Sequence, residues 1–339
     1  MTTARDIAER LQISASTVGR ALADDPRISP TTKQRVAQVA AELGYVVNRA
    51  ARMMRGVSSN LVGLVVPDIR NSFYSTTAHA LSKCLEQGGY QLTLSETDDD
   101  RDTELRHVRE LSSASVAGII IVPSVKPHPD AVRLLAALPH IQLLRQNPAL
   151  ADRWFGIDDA QALTQAAQHL LQLGHRHIAY IGGSPELPTG AERLRGFRAA
   201  LAGTPAAAQA IEETGIPSSG DFGREALRRL LERSDAPSAI VTGSVQITQA
   251  VLDELLDRGV SVPEQLSVVG FGDEPGFRWW GPGLTTLALP VSDLATACGL
   301  WFVHQMMGKP PNLAGYRSIS PATLVTRGST RAAGPASAA

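Results

Sequence analysis

The sequence predicts a small all-α unit followed by an α/β core made of two doubly wound parallel-sheet lobes. Residues 1–45 contain only patterns with helical spacing. From residue 61 onward, short apolar runs rich in Val and Ile alternate with helical stretches, as in buried parallel sheets. At 339 residues the chain is also too long for one ordinary core, so two or three domains are expected.

The composition is that of an ordinary globular protein, with 43% hydrophobic and 19% charged residues. No apolar run is long enough to cross a membrane, and Met1 leads directly into a capped helix rather than a signal segment. These features predict a cytoplasmic protein without a membrane partner. Cys84 and Cys298 lie within apolar helical patterns, which favours buried free thiols over a disulfide or a catalytic role.

The all-α unit contains three predicted helices whose starts are marked by capping residues. The start signals are the capping box of Thr3 and Asp6, the N-cap Ser14, and the pair Ser29-Pro30. The first helix is expected to end near Gln12 and the third at Gly44. In the second helix, Val18, Ala21 and Leu22 are expected to face the core. The residues expected to face outward are Ala15, Ser16, Thr17, Gly19 and Arg20.

A helix, a tight turn and a short polar helix form the helix-turn-helix layout, in which the second helix enters the major groove of DNA. Arg20 can donate two hydrogen bonds to O6 and N7 of guanine. Ser16 can donate or accept one, and the Ala15 methyl can contact a thymine methyl. The alternative is a three-helix bundle with an exposed polar face and no DNA role.

Positive charge at this end of the chain favours DNA contact. Residues 1–57 carry nine positive and five negative side chains, a net charge of +4, whereas the whole chain has a net charge of −1. The segment 48–56, NRAARMMRG, is basic and too short to be a stable helix by itself. Two such segments could become ordered against each other on DNA. The charge therefore lies where phosphates would bind.

Seven buried strands are predicted in the core. They span residues 61–67, 91–95, 118–123, 141–144, 177–182, 240–242 and 266–271. The first half of the core covers about 60–157 and the second about 158–287. Because ligands bind at the carboxyl ends of parallel strands, the cleft between the two sheets is the expected pocket.

Seven motifs follow one another in a fixed order along the chain. They are TARDIAERLQISASTVGRAL, RISPTTKQRVAQVAAELGYVVNRAARMMRG, GLVVPDIRNSFY, GHRHIAYIGG, ERLRGFRAAL, LSVVGFGD and LTTLALP. In these motifs the chain resembles the lactose-repressor (LacI/GalR) family of transcription regulators, from Thr3 to about Arg327.

The resemblance implies a sequence-specific DNA-binding repressor of a carbohydrate or sugar-acid catabolic operon, which binds a palindromic operator as a homodimer. A small-molecule effector in the cleft between the lobes is expected to change its DNA affinity. The residues give no indication of catalysis or of a cofactor. The alternative is a solute-binding protein without a DNA role, which would leave residues 1–57 without a use.

The resemblance also implies the domain boundaries. The core is expected to be periplasmic-binding-protein-like, and the chain to cross between its lobes three times. The predicted domains are a headpiece at 1–45, a hinge at 46–57, a first lobe at 58–157 plus 289–318, a second lobe at 158–288 plus 319–328, and a disordered tail at 329–339.

For DNA binding, the resemblance places Ala15, Ser16 and Arg20 at base-reading positions. The phosphate-contacting positions are Ser14, Thr17, Arg27, Ser29 and Thr32, and Thr3 at the first helix is a further DNA-binding candidate. The hinge candidates are Asn48, Arg49, Ala51 and Met54. Met54 stands where the family usually has a leucine that wedges into the minor groove, and methionine is a more flexible wedge.

Aromatic and basic residues are the candidates for effector binding. Phe73 and Tyr74 follow the first strand, where they can stack on a ligand or belong to the core. The resemblance implies that Arg193 holds ligand hydroxyls or carboxylates and that Phe222 stacks on the ligand.

Three further cleft positions depart from family members that bind neutral sugars, which typically carry an Asp, an Asn-Asp pair and two Asp there. This chain has Arg145, Ser244 with Val245, and Gly272 with Asp273. Carboxylates accept hydrogen bonds from sugar hydroxyls and repel anions, whereas arginine offers a fork to carboxylate or phosphate. Arg145 and Arg193, together with Arg278, therefore predict an anionic effector such as a sugar acid or a phosphorylated sugar.

Two questions stay open from the sequence. Arg145 could instead form a salt bridge within the protein, for instance to Asp158 or Asp273. Trp279 and Trp280 could cap the cleft or lie in a dimer contact.

Two patterns that suggest a metal are better explained without one. His175 and His177 flank a junction between a helix and a strand, and they lack partners at metal-ligand spacing. The acidic run of residues 98–102 lacks the spacing and the glycine of a calcium loop, so a solvated loop is expected.

Overall fold

The structure, a computed structural model, describes residues 2–22, 25–45, 59–217, 221–308, 311 and 314–334. The chain divides into two units, Met1–Ser59 and Asn60–Ala339.

The first unit contains three helices around a small apolar core. They are α1 (Ala4–Leu11), α2 (Ala15–Leu22) and α3 (Pro30–Glu42). Ile7, Val18 and Val36, one from each helix, are fully buried and close this core. Gly19 was predicted to face outward, but it is buried. It lies three residues before Leu22 and therefore shares the inward side of the helix.

The predicted capping signals are confirmed. Hydrogen bonds at the three helix starts run from the Thr3 N–H to the Asp6 carboxylate at 2.7 Å, from the Thr17 N–H to Ser14 Oγ at 3.0 Å, and from the Thr32 N–H to Ser29 Oγ at 3.2 Å. Gly44 follows α3 with a left-handed φ of +60°, the conformation that glycine adopts without strain at a helix end. Local sequence chemistry thus fixes where each helix of this unit begins and ends.

The second unit contains two six-stranded sheets. The first sheet has the strands β1 (Leu61–Val66), β2 (Gln91–Glu96), β3 (Gly118–Ile121), β4 (His140–Leu143), β5 (Arg153–Ile157) and β11 (Tyr316–Ser320), in the order β11-β5-β4-β3-β1-β2. All of its pairings are parallel. Its helices are α4 (Ser72–Gln87), α5 (Arg101–Ser113), α6 (Pro129–Ala136) and α12 (Val291–Trp301), the last continued by a π turn, Phe302–Met306.

The second sheet repeats this arrangement. Its strands are β6 (Ile178–Gly183), β7 (Ile211–Gly215), β8 (Ala239–Thr242), β9 (Ser267–Phe271), β10 (Thr285–Ala288) and β12 (Thr323–Val325), in the order β12-β10-β9-β8-β6-β7. Only β12 pairs in the antiparallel sense, with β10. Its helices are α7 (Asp159–Gln172), α8 (Pro188–Leu201), α9 (Phe222–Leu231), α10 (Val245–Asp257) and α11 (Pro275–Trp279), with a 3₁₀ turn at Pro205–Ala208.

The predicted fold class, two doubly wound parallel sheets, is confirmed, and all seven predicted strands are present. The chain passes from the first sheet to the second after β5, returns after β10, and crosses again between β11 and β12. The sequence pattern missed β5, β7, β10, β11 and β12. Of these, β7 and β11 contain only partly buried and exposed residues, so neither has a continuous apolar run.

Residues 329–333 correct the predicted disordered tail. Ser329 is fully buried, accepts a hydrogen bond from the Thr285 N–H at 2.7 Å and donates one to the Val268 carbonyl at 2.7 Å. Further along, the Ala333 N–H donates to the Leu173 carbonyl at 2.8 Å. A segment of small residues has the composition of disordered coil. In this tail, however, the small side chains let the backbone lie close against the second lobe.

His175 and the two cysteines have structural roles. The ring nitrogens of His175 bond to Ser238 Oγ at 2.9 Å and to Ser267 Oγ at 3.1 Å, and burial lowers the pKa of this histidine. Cys84 and Cys298 are buried free thiols, as predicted. Within the described part of the chain, no cluster of side chains could hold a metal ion, and no helix could span a membrane.

We expect Ser329→Ala to lower the free energy of unfolding by about 1–3 kcal/mol, because the buried Thr285 N–H loses its acceptor. Urea denaturation at 25 °C measures this change. The matched control is Ser82→Ala on the exposed side of α4, which should stay within about 0.5 kcal/mol of wild type. Equal effects of the two substitutions would show that the tail contact contributes nothing.

Candidate functional site

The outer face of α2 presents the residues predicted to read bases. Ala15, Ser16 and Arg20 are exposed, while Val18 on the opposite side is fully buried. Arg20 Nη2 donates to Ser16 Oγ at 2.9 Å, one helical turn away. The guanidinium is therefore held along the helix surface, next to the hydroxyl that is predicted to contact the neighbouring base.

Hydroxyl pairs mark the starts of α2 and α3. Ser14 Oγ and Thr17 Oγ1 lie 2.8 Å apart, as do Ser29 Oγ and Thr32 Oγ1. These four predicted phosphate-contacting residues thus sit at helix N-termini, where the backbone N–H groups and the helix dipole favour anions. Thr3, the further candidate, lies at the start of α1.

Arg27 differs from the expectation of a free phosphate-binding cation. Its Nε and Nη2 donate to the two carboxylate oxygens of Asp25 at 3.0 and 2.7 Å. This hydrogen bonding holds the pKa of Asp25 well below its usual range. A phosphate must therefore compete with an intramolecular carboxylate for Arg27. The hinge candidates Asn48, Arg49, Ala51 and Met54 lie outside the described residues, so their roles stay predictions.

A cavity lies between the two lobes, at the carboxyl ends of strands from both sheets. Five of the eight predicted effector residues line it: Phe73, Tyr74, Arg145, Arg193 and Ser244. The other lining residues with polar side chains are Asp68, Asn71, Asp99, Thr189 and Gln246. The interlobe cleft defined by these residues is the expected pocket of a doubly wound fold.

Arg145 enters the cleft directly after β4 and is buried. Its two terminal nitrogens bind the two carboxylate oxygens of Asp99, with 2.9 Å between Nη2 and Oδ2. Burial lowers the pKa of Arg145, but the hydrogen bond to Asp99 and the nearby acidic groups together outweigh burial, so the net pKa is raised. The internal salt bridge that the sequence left open thus exists, although its partner is neither Asp158 nor Asp273.

Asp99 lies in an exposed loop, as predicted, but it also has a role in the cleft that the sequence analysis did not assign. Its carboxylate lines the cleft and holds Arg145. The sequence did contain a signal, because Asp99 follows β2 and so lies at the same sheet edge as the residues after β1 and β4. Polar residues at the carboxyl ends of neighbouring strands converge there.

Arg193 reaches the cleft from α8 on the second lobe. Its Nε donates to Asp159 Oδ1 at 2.7 Å and its Nη1 to the Gly243 carbonyl at 2.8 Å, and the guanidinium lies 4.1 Å from the centre of the Phe271 ring. Burial raises the pKa of Asp159, and the charge of Arg193 opposes that rise.

Gly196 explains the spacing of the motif around Arg193. A Cβ at this glycine would lie 2.0 Å from the Ala160 carbonyl oxygen, so no other residue lets α8 approach α7 this closely. This close approach brings Arg193 to Asp159, the neighbour of Ala160. The arginine three residues before the glycine is therefore positioned by backbone contact between the two helices.

Two hydrogen bonds cross the cleft between the lobes. Ser72 Oγ donates to Glu274 Oε1 at 2.6 Å, and Gln246 Nε2 donates to Asp68 Oδ2 at 3.1 Å. Sequence reasoning did not single out any of these four residues. They follow the carboxyl ends of strands or begin the helices after those strands. This position is the one feature of the sequence that could have indicated a place in the cleft.

Three predicted effector residues do not line the cleft. Phe222 opens α9 and packs over Gly215, where an added Cβ would meet the phenyl ring at 2.4 Å. Asp273 lines a second cavity between the lobes, next to Ser72 and Glu274, and its carboxylate pairs with Arg327 at 2.7 and 2.8 Å. Arg278 is exposed on α11. These side chains follow the expected strands, but local packing and a salt bridge direct them elsewhere.

The two tryptophans after α11 do not cap the cleft. Trp279 is 79% exposed, whereas Trp280 is partly buried against the apolar core of the second lobe. Neither side chain lines the cavity between the lobes. The dimer contact that the sequence offered as the other role for this pair stays a prediction.

A helix-turn-helix unit joined to a two-lobed α/β core is the arrangement of a class of DNA-binding transcriptional regulators. The family model described as bacterial regulatory proteins, lacI family, matches residues 3–48, and that of the periplasmic binding protein-like domain matches residues 167–330. The chain belongs to the LacI family of bacterial transcriptional regulators, as its motifs predicted.

Individual relatives match over nearly the whole chain. The HTH-type transcriptional regulator DegA of Bacillus subtilis is 32% identical over 97% of this chain and 98% of its own length. Catabolite control protein A of Priestia megaterium is 31% identical over 85% of this chain and 88% of its own. The crystal structure of the lac repressor dimer bound to operator and the anti-inducer ONPF matches with a TM-score of 0.82, at 24% identity over 98% of this chain and 99% of that chain. Such relatives are transcriptional regulators and not enzymes.

We expect Arg193→Ala to lower the free energy of unfolding by about 3–5 kcal/mol at neutral pH, because it leaves the Asp159 carboxylate buried without its partner. The loss should shrink as the pH falls, since burial raises the pKa of Asp159 and protonation removes the unpaired charge. Urea denaturation between pH 5 and 8 measures both effects.

The double variant Asp159→Asn/Arg193→Gln is the control for this prediction. It removes both charges and should lose less stability than Arg193→Ala, with a weaker dependence on pH. If the stability lost in Arg193→Ala were the same at every pH, the ion pair with Asp159 would not contribute to the stability of the protein.

Proposed function

We propose that this LacI-family regulator is a repressor that binds a palindromic operator as a homodimer and whose DNA affinity is set by a small molecule held in the interlobe cleft. The observation that carries the proposal is the cleft itself, which draws buried polar groups from both lobes and is crossed by hydrogen bonds. A molecule bound there contacts both lobes at once. It can therefore change how they are held together.

The proposed DNA contacts divide into two kinds. Arg20 and Ser16 read base edges in the major groove, with the Ala15 methyl beside them. Phosphates are bound by the hydroxyls and N–H groups at the starts of α2 and α3, which fix the position of α2 but carry no sequence information. Arg27 joins the phosphate contacts only when it leaves Asp25, so we infer that it contributes less than an unpaired arginine would.

A homodimer follows from the demands of operator recognition. Two copies related by a two-fold axis place two α2 helices about one helical turn of DNA apart, on the two halves of a palindrome. Doubling the phosphate contacts makes binding fall steeply with salt. The lac repressor structure with the same fold is described as a dimer on its operator, which supports this assembly.

We infer that the effector is a carbohydrate or a sugar acid. The cleft offers guanidinium and carboxylate groups from Arg193, Arg145, Asp68 and Asp99, and the phenyl rings of Phe73 and Phe271. Charged hydrogen-bonding groups beside aromatic rings suit a ligand with several hydroxyls and an apolar ring face. Cleft closure around it replaces or strengthens the bonds of Ser72 and Gln246.

We expect Arg20→Ala to weaken operator binding by about 1–3 kcal/mol and to relax base choice at one position in each half-site. Thr32→Ala, a matched change at a proposed phosphate contact, should weaken all duplexes alike. Selection from a randomised palindromic library, followed by anisotropy titrations, measures both affinity and base preference. If Arg20→Ala weakened every duplex equally, Arg20 would be a phosphate contact only.

Binding of effector and operator must be linked. A ligand that lowers operator affinity by a given factor must itself bind more weakly to the operator complex by the same factor. Thermal-shift screening of matched pairs, such as glucose with gluconate and galactose with galactonate, identifies a ligand, and calorimetry with and without operator gives the two factors. Unequal factors, or a cleft ligand that leaves operator binding unchanged, would contradict the proposed regulation.

A further inference from the structure

We propose that Asp99 is an internal carboxylate that occupies an anion-binding site on Arg145, and that the carboxylate or phosphate of an acidic effector takes its place. This inference rests on the proposed role of the cleft in effector binding. It assigns Asp99 a function in that site and names the acidic members of the carbohydrate class as the ligands that complete it.

The geometry at Arg145 is that of a bound anion. Both terminal nitrogens face the two oxygens of one carboxylate, with 2.9 Å between Nη2 and Asp99 Oδ2, and both residues line the cleft. A guanidinium presents this fork equally to a side-chain carboxylate, a ligand carboxylate or a phosphate. Asp99 therefore stands where the acidic group of a ligand would stand.

Arg145 is more buried than Asp99, as replacement of Asp99 by a ligand anion requires. The side chain of Arg145 is 9% exposed, whereas that of Asp99 is 36% exposed. Asp99 can turn into water without losing solvation, but Arg145 stays buried and needs a replacement anion. The exchange conserves charge, because one negative group leaves Arg145 as another arrives.

The neighbouring groups do not supply that replacement. Glu104 is buried close by, but its oxygens accept from the Ser124 N–H at 2.7 Å and from Ser124 Oγ at 3.1 Å. Arg145 also donates to the Pro123 carbonyl, at 3.4 Å, which carries no net charge. An acidic ligand is thus the group that can balance Arg145 once Asp99 has left.

The backbone is in the left-handed region on both sides of the pair. Leu144, directly before Arg145, has a φ of +58°, and Asp98 and Asp99 have φ values of +51° and +59°. A leucine in this left-handed region is unfavourable, and such residues cluster at ligand-binding and switching sites. A salt bridge that served stability alone would not require this backbone conformation at Leu144. Displacement of Asp99 frees the 98–99 turn, which leads directly into α5.

The test uses the full chain and the variant Asp99→Asn. Asparagine tolerates the left-handed backbone, so the loop keeps its conformation while the charge is removed. Sodium acetate and inorganic phosphate serve as probes, titrated against sodium chloride at constant ionic strength, and the melting temperature is the readout. We expect Asp99→Asn to gain several degrees in acetate at a concentration at least tenfold below that which affects wild type.

The double variant Asp99→Asn/Arg145→Gln is the matched control and should show no acetate-specific gain. A stronger response to phosphate than to acetate would assign the site to phosphorylated ligands. An acetate response in Asp99→Asn no larger than in wild type, or equal in the double variant, would overturn the inference.

A second measurement covers failure of Asp99→Asn to fold. Trp154 Nε1 donates to the Leu144 carbonyl at 3.0 Å, so its indole N–H resonance reports on the strained turn before Arg145. High acetate should shift this resonance in wild type but not in Arg145→Gln, and no shift in wild type would overturn the inference. Wild-type protein that fails to bind duplex DNA at low salt would instead overturn the proposed function, whatever the acetate result.

Discussion

A buried guanidinium must keep a counter-charge, and this constraint organises the core of the protein. Two arginines reach the cleft, one from each lobe, and each meets an aspartate delivered by a different segment of the chain. Removing one partner leaves the other charge buried and unpaired in a low-dielectric environment. This lowers the free energy of unfolding by far more than the intact pair adds to it. A charged ligand can therefore bind in the cleft in two ways. It can replace the aspartate of one pair, or it can bind beside pairs that stay intact.

The two pairs differ in how they are built. Asp159 is buried, the Arg193 side chain is only 14% exposed, and the two lie on helices that contact each other closely at Gly196, so this pair belongs to the rigid part of the second lobe. Arg145 and Asp99 lie on turns, and one of them is open to water. A fixed pair on one lobe and an exchangeable pair on the other would allow a ligand to be held firmly on one side and sensed on the other.

Features encoded by neighbouring residues were predictable from the sequence. The caps at Ser14 and Ser29 and the apolar strands were found because each depends on a few consecutive residues. Arg193 was identified through the family resemblance, and the structure explains its spacing by the close helix contact at Gly196. The partner of Arg145 was not found, because Asp99 lies 46 residues away and meets it only through the pairing of four strands, β2, β1, β3 and β4. The position of Phe222 was not predicted correctly either, because its ring packs on Gly215 at the end of β7, a strand that the sequence pattern missed.

The positions of β11 and β12 have a consequence for how the molecule is made. These strands are synthesised after every other strand, yet β11 forms one edge of the first sheet and β12 one edge of the second. Neither lobe can complete its sheet on the ribosome until its own edge strand has emerged. Unpaired strand edges invite aggregation. The outer edge of β5 thus stays unpaired while β6 to β10 are synthesised, whereas the edge of β10 waits only for the last strands of the chain. The first lobe therefore carries an aggregation-prone edge for about half of translation, and the second lobe for a much shorter part.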